Sequence, residues 1–216
     1  MSLKILLADD HQVVREGISG LLTKKGYVVV AEAENGRDAV RLALKHVPDI
    51  VLMDISMPDL NGIEATKQIR AENRKIRVIG LSMHSDKRFI AKMLGAGAGG
   101  YLRKNCSSEE LYTAITTVSG GQIYLSPKLA HLVVKDFVHH TEEMDKGDAT
   151  VLTSKENEIL QLLAEGRSTK DMADRLSVSV KTIEKHREHI MTKLDIHSVA
   201  ELTKYAIREG MTSLEE

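Results

Sequence analysis

The sequence has little cysteine and few aromatic residues, and both shortages exclude classes of protein. Its one cysteine, Cys106, cannot form a disulfide within the chain and cannot supply a zinc site built on several cysteines. A single thiol is also typical of a reducing compartment. Tryptophan is absent and aromatic residues make up 3% of the chain, so the core must be packed from aliphatic side chains.

Long apolar runs are missing as well. No stretch approaches the roughly 18 apolar residues of a membrane span, and the apolar segment near Met1 is too short for a signal peptide. We therefore expect a cytoplasmic protein with no membrane partner. The net charge is −1, so any nucleic-acid binding must come from a local basic patch and not from a basic domain.

Over the first 120 residues, apolar runs of strand length alternate with segments of helical periodicity. The predicted strands are 3–8, 27–33, 50–54, 77–82 and 101–103. This alternation predicts an α/β fold, a five-stranded parallel doubly wound sheet of flavodoxin-like order 2-1-3-4-5. Strands one and three are neighbours in that order, so their carboxyl ends meet.

The composition changes twice after this sheet. Ser126-Pro127 is typical of a helix start, and polar residues 141–150 are typical of a flexible linker. From Val151 the periodicity is wholly helical, and two of four predicted helices are joined by the turn 177–179, which favours a helix-turn-helix. The predicted organisation is an α/β domain at 1–125, a linker helix and flexible linker at 126–150, and a small all-α domain at 151–216.

Charged and polar residues stand at the carboxyl ends of the predicted strands, where open α/β sheets bind ligands. They are Asp9 and Asp10 after the first strand, Asp54 at the end of the third, Ser82 at the end of the fourth and Lys104 after the fifth. Three neighbouring carboxylates require a cation, and hard oxygen ligands with room for water suit Mg²⁺. Because an Asp can accept a phosphoryl group, we expect Asp54 to be the acceptor.

Each of these residues taken alone has a plainer explanation. An Asp pair after a strand is usually a turn, Lys104 would be a solvated charge, Ser82 a helix cap and Tyr101 a core residue. The conjunction of all of them at one sheet edge favours a functional site.

Residues 1–120 resemble a response-regulator receiver domain of the CheY-like kind. The matching segments are 5–11 (ILLADDH), 51–58 (VLMDISMP), 80–82 (GLS) and 100–104 (GYLRK). The resemblance implies phosphorylation of Asp54 by a partner histidine kinase. It does not imply a classical enzyme, although a receiver can catalyse its own phosphorylation and dephosphorylation.

The same resemblance implies the roles of the surrounding residues. Mg²⁺ would be held by Asp10, Asp54 and the backbone carbonyl of Ser56, with Asp9 acting through water. Ser82 would be the hydroxyl switch, Tyr101 the aromatic switch and Lys104 the partner of the phosphate. Many receivers have Pro after that lysine, whereas this chain has Asn105, which puts the geometry of the Lys104 peptide in doubt.

Residues 151–212 resemble the LuxR-type DNA-binding domain, through segments 152–153 (LT), 163–166 (LAEG), 193–194 (KL) and 200–202 (AEL). Both matches together imply the NarL/FixJ class of transcription regulators, which would bind promoter half-sites in double-stranded DNA as a homodimer once phosphorylated. A recognition helix enters the major groove. Its candidate DNA contacts are Lys181, Thr182, Glu184, Lys185, His186, Arg187 and Lys193.

Glu184 departs from the Lys often found at this position of the family. A glutamate can accept a hydrogen bond from cytosine N4 and so influence base choice. It can equally pair with a neighbouring charge on a solvated face, and the sequence leaves both explanations open.

Two other functions remain open at this point. A phosphohydrolase of the haloacid dehalogenase type also phosphorylates an Asp, but it requires an Asp-x-Asp pair after the first strand, and Asp9 and Asp10 are adjacent. Alternatively, the chain is a receiver module whose helical domain docks on protein and not on DNA.

Overall fold

The computed structural model describes residues 2–83, 87–130 and 152–212, which fall into two compact units within 1–144 and 145–216. The predicted linker helix is described only at its start, where residues 127–130 are helical. The rest of that helix and the polar segment 141–150 lie outside the described residues. In the described part of the chain, no helix is long and apolar enough to cross a membrane.

The first unit contains a parallel sheet of six strands in the order β2-β1-β3-β4-β5-β6. The strands are β1 (Lys4–Ala8), β2 (Val28–Ala33), β3 (Ile50–Asp54), β4 (Arg77–Ser82), β5 (Gly100–Arg103) and β6 (Tyr124–Leu125). The predicted order 2-1-3-4-5 is confirmed. The sixth strand was not predicted, because two residues are too few to show an apolar run.

Five helices cover both faces of this sheet: α1 (Gln12–Lys24), α2 (Gly36–His46), α3 (Gly62–Glu72), α4 (Lys87–Gly95) and α5 (Ser108–Ser119). Leu6 belongs to an apolar cluster with residues of α2, α3 and α4, whereas Leu7 belongs to another with residues of α1 and α5. Successive strand residues therefore face opposite layers, and both are buried. That arrangement explains the nearly continuous apolar runs of the central strands.

The first unit continues beyond its fifth helix. Leu125 and the buried Leu129 pack with the apolar cluster that contains Leu6. The start of the segment predicted as a linker at 126–150 is therefore joined to the core of this unit.

The second unit consists of the four expected helices, α6 (Ser154–Ala164), α7 (Thr169–Arg175), α8 (Val180–Leu194) and α9 (Val199–Arg208). Thr153 and Glu156 form a capping box at the start of α6. Gly166, at φ 74°, follows α6, and Ser177, at φ 52°, lies in the short connection between α7 and α8. This is the predicted helix-turn-helix.

Candidate functional site

The register of the central strands brings Asp9 and Asp54 to the same edge of the sheet. Ala8 pairs with Met53, so the next residue of each strand is an aspartate. Asp9 is 0% exposed and Asp54 is 3% exposed, whereas Asp10 is exposed. Ligand atoms of Asp9, Asp10, His11 and Asp54 all lie within 4.8 Å of one another.

Lys104 joins this cluster from β5. Its ammonium Nζ lies 2.8 Å from Oδ2 of Asp54 and 2.8 Å from Oδ2 of Asp9. Ser82 pairs with Arg103 in the sheet, and the N–H of Lys104 donates to the Ser82 carbonyl at 2.9 Å. This backbone bond fixes the peptide between Arg103 and Lys104.

The electrostatics of this cluster depend on the burial of its acids and on their close spacing. Burial raises the pKa of Asp54 to about 7, and the charges of Asp9 and Asp10 act in the same direction against the opposing effect of Lys104. Burial alone lowers the pKa of Lys104, but Asp54 and Asp9 outweigh it, and that pKa lies above its usual value. One lysine therefore does not fully compensate three carboxylates.

The donor set fits a hard divalent cation. It offers carboxylate oxygens from two adjacent strands, with Asp10 on the solvent side where waters can complete a coordination shell. Mg²⁺ usually takes one or two carboxylates and keeps several waters. The acidic site Asp9, Asp10 and Asp54 is therefore consistent with metal binding.

The loop after β3 returns directly against Asp54. The N–H of Ser56 is 3.4 Å from Oδ1 of Asp54, and the N–H of Gly62 donates to the Ile55 carbonyl at 2.9 Å. A Cβ on Gly62 would lie 1.9 Å from the Asp54 carbonyl oxygen. Asn61 then caps α3 by accepting from two backbone N–H groups. The sequence of this loop thus places Ser56 at the site.

The two expected switch residues are both buried. Ser82 is 3% exposed at the carboxyl end of β4, beside the strand that carries Asp54. Tyr101 is 0% exposed and belongs to the apolar cluster that contains Met53, so its ring lies inside the domain. The aromatic side chain is therefore in the inward state here.

Two residues near the acids were missed at the sequence level. The ring Nδ1 of His11 lies 2.7 Å from Oδ1 of Asp10 and its backbone N–H donates to Oδ1 of Asp9 at 2.9 Å. Arg15 is buried, and its Nη1 donates to the Asp9 carbonyl at 2.6 Å. The sequence did contain a signal for Arg15. It stands seven residues before Leu22, a spacing that places both side chains on the same buried face of α1.

In the second unit, the predicted DNA contacts of α8 divide into two groups. Lys181, Glu184 and Lys185 are exposed, and their spacing places them along one side of the helix. Four are half-buried: Thr182, His186, Arg187 and Lys193. The side chains of Lys181, Glu184 and Lys185 are therefore accessible to a ligand.

Three of the half-buried residues have contacts inside the unit. Arg187 donates to Thr169 Oγ1 of α7 at 3.3 Å, and the N–H of Thr182, in the first turn of α8, donates to Oγ of the N-cap residue Ser179 at 3.1 Å. Lys193 Nζ donates to Glu156 Oε2 at 2.6 Å.

His186 differs from these three. Its Nδ1 is buried and has no hydrogen-bond partner among the residues that the structure describes. The ring therefore packs with one nitrogen inward, and only the rest of it is available to a ligand.

Two family models match the chain. One, described as response regulator receiver domain, matches residues 5–116, and the other, described as bacterial regulatory proteins of the luxR family, matches residues 150–206. The oxygen regulatory protein NreC of Staphylococcus haemolyticus is 40% identical over 214 residues, which cover 97% of this chain and 99% of that protein.

Solved structures give the same result. A LuxR-family two-component response regulator from Aurantimonas is 39% identical with a TM-score of 0.61, covering 64% of this chain and 99% of that one. A structure of two RcsB dimers bound to two parallel DNAs is 25% identical with a TM-score of 0.58, covering 95% of this chain and 98% of that one. These relatives are regulators, and nothing in them favours the phosphohydrolase alternative.

The matches cover both units in the order in which they occur, and the acidic receiver site is present in the first. The chain therefore belongs to the two-component response regulators, as a DNA-binding transcription regulator with a receiver domain followed by a LuxR-family helix-turn-helix domain.

Proposed function

We propose that Asp54 accepts a phosphoryl group from a histidine kinase and that its charge controls DNA binding by the second unit. The observation that carries this proposal is the buried carboxylate of Asp54, held 2.8 Å from Lys104 at the ligand-binding edge of the sheet. In the transfer, the nitrogen–phosphorus bond of the donor histidine breaks and an oxygen–phosphorus bond forms on Asp54. Lys104 then pairs with the new phosphate.

Mg²⁺ is the cation that we assign to this site. Asp10, Asp54 and the backbone carbonyl of Ser56 would hold it, and Asp9 would act through a water molecule. Bound there, the ion supplies positive charge that offsets the repulsion between the carboxylates and an incoming phosphate. The crowding of Asp9, Asp10 and Asp54 supports this assignment, because ligand atoms of all three lie within 4.8 Å of one another.

The readout of phosphorylation begins with the switch residues. A phosphate adds close to two negative charges at one point. Ser82, at the end of the neighbouring strand, would donate its hydroxyl to a phosphate oxygen, and Tyr101 would rearrange with it. Their movement would change the surface formed by β4, β5 and the adjoining helices, and we assign dimer formation to that change.

DNA recognition is assigned to α8. Lys181, Glu184 and Lys185 are exposed and ready for base edges and phosphates. Thr182 and His186 lie on the same helix with less exposure. Arg187 and Lys193 would have to exchange Thr169 and Glu156 for a DNA group, so we assign them supporting contacts.

The remaining assignments follow from this function. The partners are a histidine kinase and promoter half-sites in double-stranded DNA, with a homodimer as the phosphorylated form, and the DNA partner places the protein in the cytoplasm. We retain the receiver at 1–125, the linker at 126–150 and the DNA-binding domain at 151–216 as proposed functional boundaries.

Phosphate incorporation tests the proposal. The full chain is incubated with a small phosphodonor and Mg²⁺, and the phosphorylated fraction is measured by intact-protein mass spectrometry. We expect one added phosphoryl group in the wild type and none in Asp54→Asn, while the exposed control Glu72→Gln behaves as the wild type does. Equal incorporation in Asp54→Asn would overturn the assignment.

A further inference from the structure

Arg15 is a buried cation on α1 that the proposed mechanism does not use. The residue is 6% exposed. Its Nη1 donates to the backbone carbonyl of Asp9 at 2.6 Å, and its Nη2 donates to Glu34 Oε1 at 2.5 Å. Its Nε lies 3.7 Å from Glu32 Oε2. The guanidinium thus links the carboxyl end of β1 to that of β2.

The acids alone do not explain why this charge is buried. The side chain of Glu34 is 72% exposed and that of Glu32 is 42% exposed, so both would be hydrated without Arg15. Burying a guanidinium is unfavourable because its hydration is lost. An apolar residue would fill the same face of α1, beside Ile18 and Leu22, without that cost. Among the contacts of Arg15 that the structure describes, the hydrogen bond to the Asp9 carbonyl is the buried one, and it requires a donor at this position.

That contact completes the fixation of Asp9. Its N–H donates to the Ala33 carbonyl at 3.1 Å, and its carbonyl accepts from Arg15. The Asp9 carbonyl belongs to the peptide that connects Asp9 with Asp10. The orientation of this peptide decides where the Asp10 side chain starts, and Asp10 is the most exposed carboxylate of the cluster.

We infer that Arg15 is a positioning residue for the cation site: it holds the Asp9–Asp10 peptide so that the Asp10 carboxylate faces Asp54. Groups that orient metal ligands in this way influence affinity strongly, and their loss typically weakens metal binding about 10–100-fold. Glu34 contributes to the same positioning, because it holds the outer end of the guanidinium. This inference rests on the proposed cation at Asp10 and Asp54.

The test measures Mg²⁺ binding directly, apart from phosphorylation. Isothermal titration of the full chain with MgCl₂ gives Kd for the wild type, Arg15→Met, Arg15→Lys and a control, Arg41→Gln. Arg41 lines the same surface pocket as Glu32 and Glu34, but it is exposed and pairs only with Asp38 among its described contacts. We expect Arg15→Met to raise Kd about tenfold, Arg15→Lys to restore part of the loss, and Arg41→Gln to remain near the wild type.

A second readout separates positioning from stability. The rate of phosphorylation by a small donor is measured against Mg²⁺ concentration. For Arg15→Met we expect the Mg²⁺ dependence to shift to higher concentration, with the rate at saturation close to that of the wild type. A lowered Tm with unchanged Kd and unchanged Mg²⁺ dependence would show a purely structural role and overturn the inference.

Three further outcomes are decisive. If Arg15→Met does not fold, Glu34→Gln takes its place, with an expected rise in Kd of about threefold, and an unchanged Kd in that variant overturns the inference. A wild type that binds no Mg²⁺ overturns this inference together with the proposed cation. A wild type that binds Mg²⁺ and is phosphorylated, with variants of equal Kd, overturns this inference alone.

Discussion

The ammonium of Lys104 lies 2.8 Å from the carboxylate of Asp54 although the two residues come from strands that are not neighbours in the sheet. β4 runs between β3 and β5, and it ends at Ser82. A new charge on Asp54 therefore acts across β4, and Ser82 occupies the position between the acid and the lysine. This relationship is the structural basis for the predictions on the receiver.

The first prediction concerns the pH dependence of stability. The pKa of Asp54 is about 7 in the fold against 3.8 as its ordinary value. The folded state binds the proton more tightly, so the free energy of unfolding falls as pH rises from about 4 to about 7 and levels above that. We expect a fall on the order of 4 kcal/mol in EDTA, absent in Asp54→Asn.

Chemical denaturation of the first unit at several pH values measures this effect. Mg²⁺ should reduce the difference between the wild type and Asp54→Asn, because the ion stabilises the ionised carboxylate. Glu72→Gln serves as the control and should follow the wild type at every pH. Parallel profiles for the wild type and Asp54→Asn would contradict the assigned pKa.

The second prediction concerns Gly62. A Cβ at this position would lie 1.9 Å from the Asp54 carbonyl oxygen, so Gly62→Ala must displace either α3 or the end of β3. We expect a loss of about 2 kcal/mol or more together with weaker Mg²⁺ binding. Gly17→Ala in α1 is the control, since nothing lies within 4 Å of its added methyl group, and it should gain about 0.5 kcal/mol. Similar Tm values for both variants would contradict the close approach.

The third prediction concerns Glu156 at the start of α6. Burial opposes its ionisation, but hydrogen bonds from Lys193 and Thr153 outweigh that effect and hold its pKa below the usual range. A lowered folded pKa stabilises the unit above the ordinary pKa of about 4.3, and this stabilisation is lost as pH falls through the folded value. Glu156→Gln should cost about 1–2 kcal/mol at pH 7 and less at pH 3.

Denaturation of the second unit, followed by helical circular dichroism, gives this comparison. Glu188→Gln changes an exposed glutamate of α8 and should leave stability nearly unchanged. Lys193→Met should cost a similar amount to Glu156→Gln, and the double variant should cost less than their sum. A fully additive double variant would argue against the Lys193–Glu156 pair.

The fourth prediction concerns the open face of α8. Lys185→Ala should weaken binding to all DNA sequences alike and reduce the salt slope by about 1 for each subunit. Lys204→Ala, an exposed lysine of α9, should do neither. Fluorescence anisotropy across a salt series measures both quantities. A salt slope in Lys185→Ala equal to that of the wild type would favour docking on protein.

Glu184 requires a separate readout because its proposed role is base choice. Glu184→Ala should change the preference at one base pair of the half-site, in a selection from randomised DNA, with little change in the salt slope. An unchanged preference would leave Glu184 as a residue of the solvated face.

The sequence predicted most of the receiver because its signals are local and repeated. Asp54 and Ser82 end buried strands and Lys104 follows one, so the parallel order alone brings them together. The strand Tyr124–Leu125 has no comparable pattern, and its position depends on pairing with β5.

Side-chain partners across elements were harder to predict than strand order. Lys193 and Arg187 carry the charge expected of DNA-binding residues, but both contact groups on other helices of the same unit. Leu21 of α1 is apolar but 37% exposed, whereas Arg15 of the same helix is charged but buried. Helical periodicity identifies the inward face from the apolar residues. It therefore assigns an arginine to the exposed face even when that arginine is buried against a backbone carbonyl.

The polar residues of the site lie at or just beyond the carboxyl ends of the paired strands. Their separation from the apolar sheet affects how the sequence of such a protein can change in evolution. The sheet interior is apolar, whereas Asp54 and Ser82 are the last residues of their strands, and Asp9, Asp10 and Lys104 follow theirs. Residues of the connecting loops can therefore change while the scaffold persists. Gly62 marks the boundary of that freedom, since the loop behind Asp54 has no room for a larger residue there.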